Sequence, residues 1–205
     1  MTLRIIMDEV ASQDWGARQF KKKLINECNH QSVAYEVSSD WITDTSYIPE
    51  YNENTSYNNQ IVLEPNGWQD DEDYAHNKVL CCLDRHTTAN VVFDTIKAYM
   101  SVVGDVKVCM IGYGKLVGRP LKHMLDCSKI ECYVVRSNTE NVQELIDNSD
   151  VVVTAIPFGE KLDYDFTNKY VIDVGNNVVN PTVNYKVIGD GTTRTLIQKY
   201  IDMHM

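Results

Sequence analysis

Four apolar runs mark the second half of this chain: "VKVCMIG" from Val106, "IECYVV" from Ile130, "DVVVTAIP" from Asp150 and "YVIDVG" from Tyr170. A strand with one wet face alternates apolar and polar residues, whereas a continuous apolar run is buried on both faces. Each run here is separated from the next by a helical pattern or a connecting segment. Runs of this kind predict an α/β fold, a doubly wound parallel sheet with helices over both faces.

The intervening segments carry helical spacing. "HTTANVVFDTIKAYM" sets Val92, Ile96 and Tyr99 on one face, with Thr87 or Thr88 as its cap, and "VGRPLKHMLD" and "ENVQELIDN" follow the same pattern. A closing helix is expected in "GTTRTLIQKYIDM" from Leu196, Ile197, Tyr200 and Ile201. Before residue 85 the chain is polar and rich in Asn and Tyr. There "DWGARQFKKKLINEC" places Phe20, Leu24, Ile25 and Cys28 at helical spacing behind a possible cap at Asp14, and "RIIM", "VAYEV" and "QIVLEP" read as strands. The long stretch "SSDWITDTSYIPEYNENTSYNN" reads as a surface loop or as disorder. The expected organisation is a smaller α/β N-terminal lobe over 1–85, a cofactor domain over 86–190 and a C-terminal helix over 191–205.

A net charge of −10 opposes nucleic-acid binding, which needs a basic surface to release counterions. An anionic ligand must therefore be held by local donors. No apolar run reaches the ~20 residues that span a bilayer, and "MTLRIIMDEVASQD" meets Asp8 before any leader-like segment forms. A cytoplasmic location without membrane contact is the expectation. The six cysteines include no CxxC pair and several lie in apolar runs, so they read as reduced, buried thiols. His76, His86 and His123 have no metal-ligand spacing with them, and no metal is expected.

The stretch "MIGYGKLVGRP" follows the first apolar run and sets Gly112, Gly114 and Gly118 between a predicted strand and a predicted helix. Glycines there clear the way for backbone N–H groups at the positive end of a helix, which is how dinucleotide phosphates are held. The spacing, G-x-G-x-x-x-G, is one residue longer than the common one. A tight strand-to-helix turn without a ligand is the other reading. Pro120 suits the first helical turn, where its missing N–H costs nothing. At the end of the next strand, where NAD sites usually carry an acid, the chain has Arg136 and Ser137. Those residues suit a 2′-phosphate and point to NADP, with NAD as the alternative. Glu131 sits at the wrong end of that strand to compete.

Together "VCMIGYGKLVGRP", "NTENVQELIDNSDVVVTAI" and "YVIDVGNN" resemble the cofactor domain of the bifunctional methylenetetrahydrofolate dehydrogenase/cyclohydrolase family. Val117, Gly118, Arg119 and Pro120 match the family's helix start, and Asp173, Val174, Gly175, Asn176 and Asn177 resemble its Asp-Val-Gly-Ile-Asn. The resemblance runs from about residue 85 to residue 178. It implies a Rossmann-like cofactor domain in which Gly112, Tyr113 and Gly114 line the cofactor phosphates, Arg136 or Ser137 meets the adenosine ribose, and Asn176, beside Gly175, lies at the nicotinamide. Tyr113 and Gly114 replace the family's usual Arg-Ser. The resemblance also implies a homodimer.

In the first half, "IVLEP" is similar to the family's Leu-Pro stretch, and "DEDYAH" resembles its Asp motif with Asp73 as the matching catalytic-site acid. The family's Tyr-x-x-x-Lys has no counterpart, because neither Lys nor Arg occurs from Leu24 to Asn77. The resemblance thus implies an NADP-dependent dehydrogenase acting on a folate-type small molecule, with cyclohydrolase activity in doubt for want of the lysine. Two other readings stay open: a nucleotide-binding relative that has lost catalysis and serves a regulatory or partner-binding role, and a dehydrogenase for another small substrate.

Overall fold

The computed structural model describes residues 3–7, 15–38, 60–63, 86–114 and 116–204. Two compact units emerge, one formed by residues 1–85 and 192–205, the other by 86–191. Asp73 and the segment 39–59 lie outside the described residues.

The first unit holds strand β1 (Leu3–Met7), helix α1 (Trp15–His30), β2 (Tyr35–Ser38) and β3 (Gln60–Leu63) in a parallel sheet of order β2-β1-β3. Leu3 pairs with Tyr35 and Arg4 with Gln60. Leu24 and Cys28, four residues apart on one face of α1, are fully buried with Leu3 and Ile5. Leu196, Ile197 and Tyr200 complete this core.

The second unit begins with α2 (Thr87–Val103) and continues through β4 (Val108–Ile111), α3 (Gly118–Cys127), β5 (Cys132–Val135), α4 (Val142–Asp147), β6 (Val151–Thr154) and β7 (Tyr170–Asp173). All strand pairs are parallel in the order β5-β4-β6-β7. Every residue of β4 and β6 is buried, as continuous apolar runs require when helices cover both faces. Alternation divides them: Val108, Met110, Val151, Val153 and Ile172 pack with α2 and α3, while Cys109, Ile111 and Val152 pack with Ile146 of α4. This is the Rossmann-like, doubly wound sheet that the apolar runs predict. Among the described residues no helix is long and apolar enough to cross a membrane.

Two helix boundaries differ from the sequence expectation. The N-cap of α2 is His86, which makes no side-chain cap bond, and Thr87 is instead a buried residue of the helix itself. The last helix, α5, runs from Tyr185 to His204 and so starts well before residue 191. Asn184 starts it: its Oδ1 accepts the N–H groups of Lys186 at 3.0 Å and Val187 at 3.2 Å. Gly189 and Gly191 are helical, and a Cβ on Gly191 would lie 2.9 Å from Val91 Cγ1. Glycine there lets α5 approach α2.

The cysteines also depart from a uniform reading. Cys28 and Cys109 are buried and Cys132 half-buried, but Cys127 is exposed on α3. Burial pushes the Cys109 thiol up to about 12 and those of Cys28 and Cys132 up to about 11. No group of metal-ligating side chains gathers among the described residues.

Candidate functional site

Because the four strands run the same way, their C-terminal ends share one edge of the sheet, and the residues that follow each strand are neighbours there. The chain leaves β4 toward β5 on one side and returns to β6 on the other, so the strand order reverses between β4 and β6. Open α/β sheets bind ligands in the crevice at such a switch point.

The turn after β4 is made by glycines with different duties. Gly112 adopts φ +107°, and a Cβ there would collide with the Ala155 carbonyl oxygen and lie 2.7 Å from its carbon. Only glycine meets both conditions. A Cβ on Gly118 would sit 2.5 Å from the Gly112 oxygen and 2.7 Å from Tyr113 Cα, so the first residue of α3 presses directly on the turn. Gly114 is exposed, has no left-handed φ, and a Cβ there would find nothing within 4 Å. The fold requires two of the three glycines and leaves the third unexplained.

The donors near Gly114 are uncommitted. Val117, the N-cap of α3, makes no side-chain cap bond, and the N–H groups of Tyr113 and Gly114 meet no acceptor among the described residues. Arg119 N–H bonds the Gly114 carbonyl at 3.0 Å, and Pro120 in the first turn has no N–H to place. An exposed backbone, free N–H groups and an uncapped helix start form a donor set that fits a phosphate.

Strand register brings the next element alongside. Ile111 pairs with Val135, and Gly112 N–H bonds the Val135 carbonyl at 3.1 Å, so Tyr113 lies beside Arg136. The Arg136 guanidinium carbon stands 4.3 Å from the centre of the Tyr113 ring, and that of Arg119 stands 5.9 Å from it. Such a contact at an exposed site contributes about 0.5–1 kcal/mol, enough to bias a rotamer and small against the stability of a domain. Arg136 N–H donates to Thr139 Oγ1 at 2.8 Å and Thr139 N–H returns to the Arg136 carbonyl at 3.0 Å, which closes a turn with Ser137 exposed at its tip.

Across the switch point, the loops after β6 and β7 are laced together by a buried acid. Asp173 Oδ1 accepts Thr154 Oγ1 at 2.9 Å, Gly175 N–H at 3.2 Å and Asn177 N–H at 2.9 Å, while Oδ2 accepts Val178 N–H at 3.1 Å. Four donors offset the cost of burying this carboxylate, which is 1% exposed. Asn177 Nδ2 donates to the carbonyls of Pro157 and Glu160, both at 2.9 Å. Gly175 has no room for a side chain, since a Cβ would lie 2.5 Å from the Ile156 oxygen and collide with Asn177 Oδ1. Asn176 takes φ +56°, which Asn tolerates better than most residues, and its carbonyl accepts Lys161 Nζ at 2.7 Å.

Seven of the sequence-predicted site residues thus follow β4, β5 and β7 at one edge of the second unit: Gly112, Tyr113, Gly114, Arg136, Ser137, Gly175 and Asn176. Gly118 opens α3 behind them. Glu131 precedes β5, at the opposite edge, and Asp73 lies outside the described residues. Sequence reasoning missed the organising roles of Asp173, Thr154 and Asn177 and the placement of Arg119. The buried "VID" ending of β7 carried a signal for Asp173, because an acid closing an apolar run needs donors nearby. A groove of about 360 Å³ at the opposite edge has Lys107, Glu131 and Asp150 in its wall. Its charges answer one another: Lys107 Nζ lies 3.5 Å from Glu131, and Lys107 N–H bonds Asp150 at 2.8 Å.

Comparison with known proteins bears on this edge directly. Residues 86–202 match the model of the tetrahydrofolate dehydrogenase/cyclohydrolase NAD(P)-binding domain. The bifunctional protein FolD of Ligilactobacillus salivarius is 31% identical over 105 residues, covering 50% of this chain and 36% of that protein. That of Campylobacter hominis is 24% identical over 218 aligned positions, 95% of this chain and 75% of that protein. Several of the curated relatives match over only about a third of their own length. Among solved structures, the Thermoplasma acidophilum methylenetetrahydrofolate dehydrogenase/cyclohydrolase superposes with a TM-score of 0.69 at 17% identity, covering 98% of this chain and 89% of that one. The Trypanosoma brucei enzyme, complexed with NADP and an inhibitor, gives 0.68 at 17%, with 98% and 85% covered. The chain belongs to the tetrahydrofolate dehydrogenase/cyclohydrolase family, as a divergent member.

Proposed function

We propose that this member of the tetrahydrofolate dehydrogenase/cyclohydrolase family binds NADP along the C-terminal edge of its four-stranded sheet and oxidises a methylenetetrahydrofolate-type substrate. The observation that carries the reading is the turn from Gly112 to Gly118: it sits at the switch point, ends in an uncapped helix and includes a glycine that the packing does not require. When bound, the nicotinamide supplies the hydride acceptor. Tyr113 and Gly114 hold the pyrophosphate through their backbone N–H groups, and Gly112 and Gly118 allow the close approach of the turn. Arg136 and Ser137 meet the adenosine ribose and its phosphate. Gly175 and Asn176 border the nicotinamide, and Asp173 keeps them in place without touching the reacting atoms. Asp73 is the acid assigned to hold the pterin.

Hydride transfer asks mainly that two carbons be held in a near-attack pose. Hydrolysis of the methenyl product needs in addition a group that moves a proton near neutral pH. With neither Lys nor Arg between Leu24 and Asn77, the family's lysine has no counterpart there, and the reading is a dehydrogenase with little or no cyclohydrolase activity. The assembly that goes with it is a homodimer. The test is to mix the purified protein with NADP and methylenetetrahydrofolate and follow reduced-cofactor absorbance, beside a methenyl-hydrolysis assay. Steady cofactor reduction with no hydrolysis above background is expected. Tight NADP binding without turnover would sink the dehydrogenase reading and leave a catalytically silent nucleotide-binding protein.

A further inference from the structure

Two arginines share one aromatic ring and answer no carboxylate among the described residues, in a chain of net charge −10. Arg119 comes from the first turn of α3 and Arg136 from the end of β5. Neither guanidinium makes a hydrogen bond or ion pair among the described residues. Four lysines of the same unit behave otherwise: Lys122 pairs with Asp126, Lys107 with Glu131, and Lys161 and Lys169 donate to backbone carbonyls. Two cations held 4.3 Å and 5.9 Å from one ring centre repel each other, and a dianionic ligand beside them would offset that repulsion.

The ring is placed to control one of these cations. Tyr113 packs partly against the core formed by α2, α3 and the sheet, so its position is fixed by the fold rather than by solvent. Arg136 is exposed and its side chain has many rotamers. The Arg136 guanidinium carbon lies over the ring, 4.3 Å from its centre, and this contact confines the side chain, while a guanidinium keeps N–H groups for two-pronged contact with phosphate oxygens. The end of the strand after the glycine turn is where a dinucleotide's adenosine ribose comes to rest.

We propose that Tyr113 is a positioning residue for cofactor choice: its ring holds Arg136, with Arg119 nearby, as a site for the phosphate monoester on the 2′ oxygen of the adenosine ribose. The proposal rests on the cofactor reading given above and adds the residue that makes NADP preferred over NAD. Ring rather than hydroxyl is the operative part, since no hydrogen bond of the Tyr113 hydroxyl is formed among the described residues.

The test is calorimetric titration of NADP and NAD into the full chain and its Tyr113→Leu, Tyr113→Phe and Arg136→Gln variants, with thermal melts to verify folding. The wild type is expected to bind NADP at least tenfold more tightly than NAD, with an advantage that shrinks as salt rises. Arg136→Gln and Tyr113→Leu should both weaken NADP by about tenfold or more and NAD by a clearly smaller factor, so that the preference for NADP falls. Tyr113→Phe should behave as wild type. A wild type that binds neither dinucleotide overturns the cofactor reading itself. One that binds both equally leaves that reading standing and overturns this proposal, as does a Tyr113→Leu variant with unchanged NADP preference. Equal loss in Tyr113→Phe would assign the effect to the hydroxyl and likewise overturn it. If Tyr113→Leu fails to fold, Arg136→Gln with 2′-AMP and 5′-AMP as probes decides: undiminished preference for the 2′ isomer overturns the site.

Discussion

Replacing Gly112 and Gly114 separately should part the fold from the ligand. At Gly112, an added Cβ faces two penalties at once. The backbone sits at φ +107°, a conformation that costs an L-residue about 1–3 kcal/mol. The new carbon also meets the Ala155 carbonyl, which belongs to the backbone just after β6 and has no rotamer by which to move aside. Gly112→Ala should therefore destabilise by ~3 kcal/mol or more, which for a chain of this size lowers Tm by roughly 6–12 °C. At Gly114 neither penalty exists. Gly114→Val meets open space, and the loss of glycine's freedom in the unfolded chain is worth up to about 1 kcal/mol in its favour. Its melting point should stay within ~4 °C of wild type, while its NADP affinity falls more than tenfold because the branched side chain covers the N–H groups of the turn. Differential scanning fluorimetry with and without NADP measures both quantities in one experiment, since a bound ligand raises Tm by mass action. Undiminished NADP stabilisation in Gly114→Val would refute the assignment of that glycine to a phosphate. A loss of stability equal to that of Gly112→Ala would refute the division of labour among the glycines.

Asp173→Asn exchanges one acceptor for a donor facing the Val178 N–H; a destabilisation of ~1–3 kcal/mol is expected by urea titration, and a neutral outcome would mean the four donors are satisfied without the carboxylate. Among the described cysteines, thiol labelling at pH 8 should modify exposed Cys127 first, with Cys28, Cys109 and Cys132 lagging at least a hundredfold: thiols raised to about 11–12 and shielded carry roughly 0.1% thiolate or less at that pH. Peptide mapping by mass spectrometry reads the order, and early labelling of Cys109 would contradict the packing of β4.

How much of this was legible in the residues depends on the range of the interaction. The runs of β4, β6 and β7 were readable because burial on both faces leaves an unbroken apolar string. Gly112 and Gly118 were readable for a local reason, the tight exit from a strand into a helix. The start of α5 was not, because it rests on the Asn184 cap and on the close approach of Gly191 to Val91 of another helix. The Tyr113–Arg136 stack joins residues on neighbouring strands and depends on the register Ile111 to Val135, which periodicity alone does not specify. Asp173 stood inside a quoted motif, yet its work lies in donors from Thr154, Gly175, Asn177 and Val178, a loop geometry with no one-dimensional signature.

Helix α5 supplies Ile188 to one core and Leu196, Ile197 and Tyr200 to the other. During synthesis this imposes an order of events. Strand β1 leaves the ribosome long before the rest of its core, which shelters Leu3 and Ile5 only once Tyr200 has emerged. The unit over 86–191 has no such debt and can consolidate as it appears. The N-terminal strands therefore wait, with parallel edges unsheltered, for a helix whose first turns are already folded elsewhere. Vectorial production should make the unit that holds β1 the slow-forming and protease-sensitive one, even though its strands precede the other unit in the chain.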